Sequence, residues 1–292
     1  MIATRQVDEL SRIASAMRKP RRQLARPAAG LWIAIVLIGA VVVPFLHLAS
    51  PNASTGTYAA PPFGHFFLGT DLLGRDIFVR LFYGARSSCE VALLSTVIAS
   101  LIGTALGLVA GYFRGILETV ITGVADLFLV LPGLVLLIVL ANIRGPSVGE
   151  LVVGMSVLLV PGFIRVTRAN TLAYMQREFV LAAEGVGASN VRIMIHELLP
   201  NVLPTVKVYA ITAAAHVFTV EGGLSFLGLG IRPPNASWGN MIAEGQRDLQ
   251  TSPHEALIPA LALLLTVLAL NILGGDRLQR PTPRSRANEI DL

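Results

Sequence analysis

The sequence predicts an all-α integral membrane protein with about six membrane-spanning helices. Hydrophobic residues make up 53% of the 292 residues and charged residues only 14%, whereas a soluble domain carries about 25% charged residues. The apolar residues are gathered in runs of about 20, the length that crosses a bilayer as a helix. The net charge of +5 comes from basic residues that flank these runs. It therefore indicates orientation in a membrane rather than nucleic acid binding.

The two ends of the chain are predicted to be cytoplasmic tails. Residues 1–30 hold seven Lys and Arg before the first apolar run, and residues 276–292 hold four more after the last one. A cleaved signal peptide is the alternative for the first segment. Its basic region would be unusually long and the residues after Leu48 suit cleavage poorly, so we expect a retained membrane anchor. The membrane domain is predicted over residues 31–275.

Six spans are predicted within this domain, over residues 31–49, 91–111, 119–141, 147–166, 202–220 and 256–275. At 1.5 Å per residue in a helix, each is about as long as the hydrocarbon of a bilayer is thick, about 30 Å. The second span carries a glycine at every fourth position, at Gly103, Gly107 and Gly111. Such a stripe favours close packing of two helices over simple flexibility.

Two ionisable residues inside the spans, Asp126 and His216, are candidate pathway residues. An ionisable group in a span usually faces protein or water. Asp126 therefore either lines a pathway or makes an interhelical hydrogen bond, and the sequence leaves both open. For His216, a core histidine with a hydrogen-bond partner is favoured over a pathway role. Lys207 lies near the predicted cytoplasmic end of the same span, where its charge can reach water.

Residues 177–204, called the hook below, are predicted to form two short amphipathic helices between the fourth and fifth spans. Apolar residues recur at helical spacing in each half, at Phe179, Ala182, Ala183 and Val186 and then at Val191, Met194, Ile195 and Leu198. Gly187 interrupts the pattern, and Ser189 is a suitable N-cap for the second helix. Pro200 and Pro204 are expected to end that helix.

The basic residues predict which side of the membrane the hook faces. If the amino terminus is cytoplasmic, six spans place 17 of the 23 Lys and Arg in cytoplasmic segments. This asymmetry fits the positive-inside rule. It puts the hook in the cytoplasm, where a protein outside the membrane can bind it.

The spacing within the hook resembles the EAA loop of ATP-binding-cassette (ABC) importer permeases. The pattern of that loop is EAA, three residues, Gly, nine residues and then I-x-L-P, and the matching residues are Ala182, Ala183, Gly187, Leu199 and Pro200. Leu181 stands where the family usually has Glu, and Glu197 where it has Ile. An ordinary helix-loop-helix connection is the alternative if the hook is considered alone.

Two further stretches resemble signatures of the peptide-type permeases. The first outer motif, residues 65–88, is similar to LGTDxxGRDxxSRxxxGxR, with matches at Gly69, Thr70, Asp71, Gly74, Arg75, Asp76, Arg80, Gly84 and Arg86. Val79 departs from the usual Ser. The second outer motif, residues 221–241, is similar to EaxLSFLGLGxxPPxPSWGxM; it includes Trp238 and Gly239, and Ala236 replaces a common Pro. Asp126 and Pro132 also fit the family's D…P pattern. Together the similarity covers about residues 65–275.

The resemblance implies a permease subunit of an ATP-driven importer of dipeptides or oligopeptides that works by alternating access. It also implies a second homologous permease, two ATPase subunits and an extracytoplasmic substrate-binding protein, in the cytoplasmic membrane of a prokaryote. The matching hook residues would dock the ATPase. The outer motifs either dock the binding protein or tie the chain together, and the density of glycine favours the second role. Nickel or glutathione are alternative substrates, and an ion-coupled carrier, a membrane-embedded enzyme or a structural assembly subunit are the alternative classes.

The sequence lacks the motifs of several catalytic classes. It contains no G-x-x-x-x-G-K-[ST] phosphate loop, and its only lysines are Lys19 and Lys207. It also contains no G-x-S-x-G or H-E-x-x-H motif, and a single cysteine, Cys89, excludes an intramolecular disulfide. We therefore expect no catalytic residue, no bound metal and no cofactor on this chain, with ATP and magnesium held by the partner ATPases.

Overall fold

The computed structural model describes residues 25–45, 50–130, 132–144, 147–231 and 235–278. The described residues form helices joined by loops, and two isolated β-bridges lie before the second helix. The nine helices found there are α1 Ala25–Phe45, α2 Ile77–Phe113, α3 Gly115–Val130, α4 Gly133–Arg144, α5 Val148–Met175, α6 Glu178–Gly185, α7 Asn190–Phe226, α8 Trp238–Gly245 and α9 His254–Leu278. The predicted all-α class is confirmed. Most of the two predicted tails lies outside the described residues.

Five of these helices are long and apolar enough to cross a membrane, namely α1, α2, α5, α7 and α9. The bent pair α3 and α4 makes a sixth if it counts as one span. The predicted number of about six spans therefore agrees with the structure. Helix α1 begins six residues before the predicted first span, and α5 continues through Pro161 to Met175, nine residues past the predicted fourth span. The bounds also differ at α2, at the α3–α4 pair and at α7, each for a local reason.

Helix α2 begins at Ile77, fourteen residues before the predicted second span. The carboxylate of Asp76 accepts a hydrogen bond from the Phe78 N–H at 2.8 Å and caps the helix. The charged residues of its first turns hide this segment from a hydropathy scan. Arg80 is nevertheless buried, with 2% of its surface exposed, because acidic residues far along the chain pair with it.

The predicted third span is not one continuous helix. Helices α3 and α4 meet at an angle of 82° on either side of Pro132. A proline lacks the N–H that continues a helix and disfavours helical backbone at the preceding residue. The 16 residues of α3 extend about 24 Å, less than the thickness of the hydrocarbon, so the pair forms a broken or re-entrant span.

The glycine stripe of α2 packs directly against α5. A β-carbon added at Gly103, Gly107 or Gly111 would collide with Phe163, Thr167 or Thr171 respectively. This close approach confirms the predicted packing role. Helix α7 packs against α5 as well, where the rings of Tyr209 and Phe163 meet edge to face at 4.8 Å.

Candidate functional site

The hook forms the predicted helix–glycine–helix shape at one end of the molecule. Helix α6 covers Glu178–Gly185, and α7 begins at Asn190. The turn between them has Gly187 at a φ of +78°, a conformation that favours glycine. Its N–H donates to the Glu184 carbonyl at 2.9 Å, and the Ala188 N–H donates to the Ala183 carbonyl at 3.0 Å. These bonds pair the last carbonyls of α6 and fix the angle of the turn.

The exposed surface of the hook is concave, and apolar residues line it together with Arg192 and Glu197. Val180 and Ile193 point inward and are fully buried, so they hold the two helices to the rest of the chain. The opposite side of the hook surrounds a cavity of about 440 Å³, lined by Phe179, Ala182, Ala183, Val186, Gly187, Ala188, Arg192 and Glu197. Val186 is 86% exposed on its rim. An exposed apolar surface of this kind is typical of a contact site for another protein.

The second helix of the hook does not end at Pro200 or Pro204, which corrects the expectation from the sequence. Ser189 occupies the N-cap position, as predicted, but its side chain makes no capping hydrogen bond. Residues Ile193–Leu198 form a π-helical turn, in which the Leu199 N–H donates to the Met194 carbonyl. This wider turn directly before Pro200 lets the helix pass the proline ring without a break.

Leu199 and Pro200 therefore lie within α7 rather than at its end. Leu199 is half-buried and Pro200 is exposed. From the hook, α7 runs without interruption to Phe226, over 37 residues or about 55 Å. One helix thus connects the hook to the second outer motif, which begins at Glu221.

The first outer motif is held together by hydrogen bonds around Thr70. The Thr70 hydroxyl accepts from the Ala60 N–H at 2.9 Å and donates to the Thr57 carbonyl at 2.8 Å. Gly69 and Gly74 have φ values of +83° and +75°, and a β-carbon at either would collide with neighbouring atoms. The glycines of this motif are therefore required by the backbone and by close packing.

Four charged side chains connect the first outer motif to α8, which begins within the second outer motif. Arg75 donates to Asp71 at 2.5 Å and to Glu244 of α8 at 2.7 Å. Arg80 donates to the same oxygen of Glu244 at 2.8 Å and lies 3.4 Å from Asp71. Asp71, Arg75 and Arg80 are buried, whereas the Glu244 side chain is 31% exposed. Loss of one partner would therefore leave a buried charge without its counter-ion.

Trp238 of the second outer motif is buried against the first helix turns of α2. Only 2% of its surface is exposed, its indole N–H donates to the Leu81 carbonyl at 2.9 Å, and its ring stacks on Phe218. Gly84 gives it room, since a β-carbon there would lie 3.2 Å from the indole. Gly239 is closer still to Ser225, since a β-carbon there would lie 2.6 Å from the Ser225 hydroxyl. The two outer motifs are thus packed on each other.

The two candidate pathway residues lie on exposed surfaces of the chain. Asp126 accepts a hydrogen bond from Arg165 of α5 at 2.6 Å, and the two side chains are 57% and 59% exposed. His216 is exposed on α7. Arg168, one turn after Arg165, also binds α3, with two nitrogens on one oxygen of Glu118.

Sequence reasoning missed Glu244 and Arg165 as partners of the predicted residues. Glu244 stands alone in an otherwise apolar α8, six residues after Trp238, and a lone charge in such a helix is a signal for a buried ion pair. Arg165 lies within the predicted fourth span, where an arginine requires a partner. Both signals are visible in the sequence, but neither identifies the partner.

Known proteins resemble this chain over most of its length. Residues 103–280 match the family described as binding-protein-dependent transport system inner membrane component. The glutathione transport system permease protein GsiD of Pectobacterium atrosepticum is 34% identical over 259 residues, which cover 88% of this chain and 86% of the relative. The same protein of Escherichia coli O157:H7 is 33% identical over 264 residues, with the same coverage. The dipeptide transport system permease protein DppC of Alkalihalophilus pseudofirmus is 32% identical over 252 residues, covering 82% and 83%.

Proposed function

Because the chain belongs to the family of inner membrane components of binding-protein-dependent transport systems, we propose that it carries di- or oligopeptides across the cytoplasmic membrane by alternating access. Such a component is a multi-pass ABC permease and is not itself catalytic. A peptide substrate is supported by the relatives, which are named for dipeptide and for glutathione transport. Both substrates contain peptide bonds and free carboxylates, and glutathione remains the alternative.

The structure of the hook is the observation that supports this proposal. Its two helices form a concave surface lined largely by apolar residues. The second of them continues directly as the long helix α7, which is a candidate membrane span. An ATPase bound there can push on the spans without an intermediate element. Ala182, Ala183 and Gly187 would line the contact, and Leu199 and Pro200 would set how the hook joins α7. ATP and magnesium would be bound by two partner ATPases, and a second homologous permease would complete the pathway.

The proposed sidedness follows from the positive-inside pattern of the sequence. Both termini and the hook would face the cytoplasm, and the outer motifs would face the extracytoplasmic binding protein. Asp126 and His216 would lie along the pathway, since both are exposed on spans where contact with lipid is costly. The burial of Trp238 and Arg75 supports a structural role for the outer motifs over direct docking.

Gly187 offers a sharp test of the hook. A β-carbon at Gly187 meets nothing within 4 Å of its own chain, so a large side chain there projects into a bound partner. Gly187→Arg in the complete transporter should abolish ATP-dependent peptide uptake and release the ATPases, while the chain stays in the membrane. Co-purification of the ATPases and uptake into proteoliposomes measure the two effects.

The matched control is Gly228→Arg. Gly228 also has a positive φ, +76°, and open surroundings, but it lies beyond the far end of α7. The strain of a non-glycine residue is therefore equal in the two variants, and only the hook variant should lose the ATPases. Normal uptake by the Gly187 variant with the ATPases still bound would exclude the hook as the docking site.

A further inference from the structure

Glu221 joins three separate parts of the chain through one carboxyl group. Ser88 of α2 donates to its Oε2 at 3.2 Å, and Ser225 of α7 donates to its Oε1 at 3.1 Å. Ser237, the N-cap of α8, forms a third hydrogen bond to the carboxyl. The Trp238 N–H donates to Ser88 at 3.3 Å and closes the cluster. We call these hydroxyls and the carboxyl the Glu221 cluster.

The cluster is sealed from water. Glu221 is 1% exposed, and Ser88, Ser225 and Ser237 are buried with it. The bonds to the carboxyl that the structure describes come from hydroxyl groups, and none of the ion pairs in the described part of the chain includes Glu221. The connection therefore depends on hydrogen-bond geometry rather than on attraction between opposite charges.

The position of Glu221 on α7 suggests what the connection does. It lies 31 residues from the start of α7 at Asn190, or about 46 Å along the helix from that residue. The π-helical turn, Pro200 and Pro204 all lie within the hook, and the remaining 22 residues of α7 are helical and contain no proline. A displacement of the hook can therefore reach Glu221 through continuous helix.

We propose that Glu221 is the positioning residue that fastens the far end of α7 to α2 and to the turn before α8. Through it, movement of the hook is passed to the two outer motifs. Without the cluster, α7 would move while the first turns of α2 and the start of α8 stay behind. The inference rests on the proposed docking of an ATPase at the hook. It adds the site at which movement of α7 is transmitted to α2 and α8.

The test compares Glu221→Ala with Glu221→Gln in the complete transporter in proteoliposomes, using dialanine and glutathione in parallel as substrates. Glu221→Ala should lower the number of substrate molecules moved per ATP hydrolysed by about tenfold, within the usual range of coupling between sites. Glutamine keeps the size; its amide oxygen can accept from one serine hydroxyl and its NH2 group can donate to the oxygen of the other, so Glu221→Gln should stay within about threefold of the unaltered protein. Both variants should keep the ATPases bound.

Distances between spin labels distinguish a variant that has lost coupling from one that has lost its fold. In a Cys89→Ser chain, one spin-label pair at Val186 and Ile116 reports on the hook, and another at Phe226 and Tyr58 reports on the far end; all four side chains are exposed. ATP should change both distances in the unaltered chain. In Glu221→Ala, the change at the hook should persist and the change at the far end should disappear. Because this arm needs no substrate, it stands even if neither peptide is transported.

Three further variants complete the test. Thr266→Val removes a partly buried hydrogen bond, from the Trp32 indole at 3.0 Å, which joins α1 to α9 and leaves α7 untouched; it should leave coupling unchanged. If Glu221→Ala fails to fold, Ser88→Ala removes both bonds that Ser88 makes from α2, to the Glu221 carboxyl and from the Trp238 N–H. It should lower coupling more than Ser225→Ala, whose bond to Glu221 stays within α7. Unchanged coupling in Glu221→Ala, or far-end movement that survives it, overturns the proposal.

Discussion

Gly107 of α2 lies so close to Thr167 of α5 that a β-carbon added to it would be 2.6 Å from the Thr167 β-carbon. Gly103 and Gly111 make similar contacts one turn away on either side. The contact surface between α2 and α5 therefore has no space for side chains at these three positions of α2. These two helices form the rigid part of the chain against which α7 packs.

Replacement of Gly107 should weaken this contact. Gly107→Leu would force α2 and α5 apart, and overpacking of this kind costs about 1 to 3 kcal/mol or more. We expect a lower melting temperature in detergent and less protein in the membrane. Gly123→Leu is the matched control, because a β-carbon at Gly123 of α3 meets nothing within 4 Å. Equal stability of the two variants would contradict the packing role.

Loss of Arg75 should destabilise the chain rather than weaken contact with a binding protein. Arg75→Ala leaves Asp71 and Glu244 with fewer partners in a buried network, and breaking such a pair costs about 3 to 5 kcal/mol. Thermal unfolding and the affinity for the binding protein should be measured on the same samples. A weaker affinity with normal stability would instead favour docking at the motif.

Trp238→Ala should also destabilise the chain rather than weaken its contact with a binding protein. The indole fills the space between Phe218 and α2, and truncation of a buried tryptophan costs about 3 to 5 kcal/mol. Trp238→Phe keeps most of the apolar contact and loses the bond to the Leu81 carbonyl, so it should recover most of the stability. A variant that folds normally but no longer captures the loaded binding protein would be the result against this interpretation.

The two ion pairs between α3 and α5 should differ in strength. Arg168 binds Glu118 with two nitrogens and is partly buried, whereas Arg165 binds Asp126 with one nitrogen and is more than half exposed. Arg168→Gln should therefore lower the melting temperature more than Arg165→Gln. If Asp126 lines the pathway, Asp126→Asn should alter uptake while leaving stability nearly unchanged. Uptake equal to that of the unaltered protein would speak for a purely structural pair.

Labelling from outside the cell should establish the sidedness. Cys89 is the only cysteine and is buried, so single cysteines can be placed in a Cys89→Ser chain. Asn52 and Asn190 are both exposed and lie on opposite sides in the six-span arrangement. An impermeant thiol reagent should label position 52 in intact cells and position 190 only after the membrane is opened. The reverse pattern would invert the topology.

The sequence predicted those features that depend on residues close together in the chain. The spacing of apolar residues predicted the hook and its two helices, and the length of the apolar runs predicted α1 and α9. The glycine spacing predicted the face of α2 that packs on a neighbour. It could not identify α5 as that neighbour, because the contact joins residues about 60 positions apart.

The observed helix bounds differ from the predicted ones because of contacts between residues far apart in the chain or because of the conformation of neighbouring helical turns. Arg80 excluded the start of α2 from the predicted span, yet Glu244 pairs with it from 164 residues away. Pro200 predicted a helix end, but the π-helical turn before it accommodates the ring. Pro132 lies inside the predicted third span, 119–141, whereas the chain bends there by 82°. Local patterns do not distinguish these two outcomes for a proline.

Because α7 is continuous, it also fixes the angle of rotation between the hook and Glu221 about the helix axis. Each residue of a helix turns the chain by about 100°, so the hook and Glu221 are locked in rotational phase as well as in separation. A single residue added between them would turn the carboxyl away from Ser88 while lengthening the helix by only about 1.5 Å. The number of residues in this helix is therefore as much a part of the coupling as their identity, and changes of length that restore the phase are the ones the chain can tolerate.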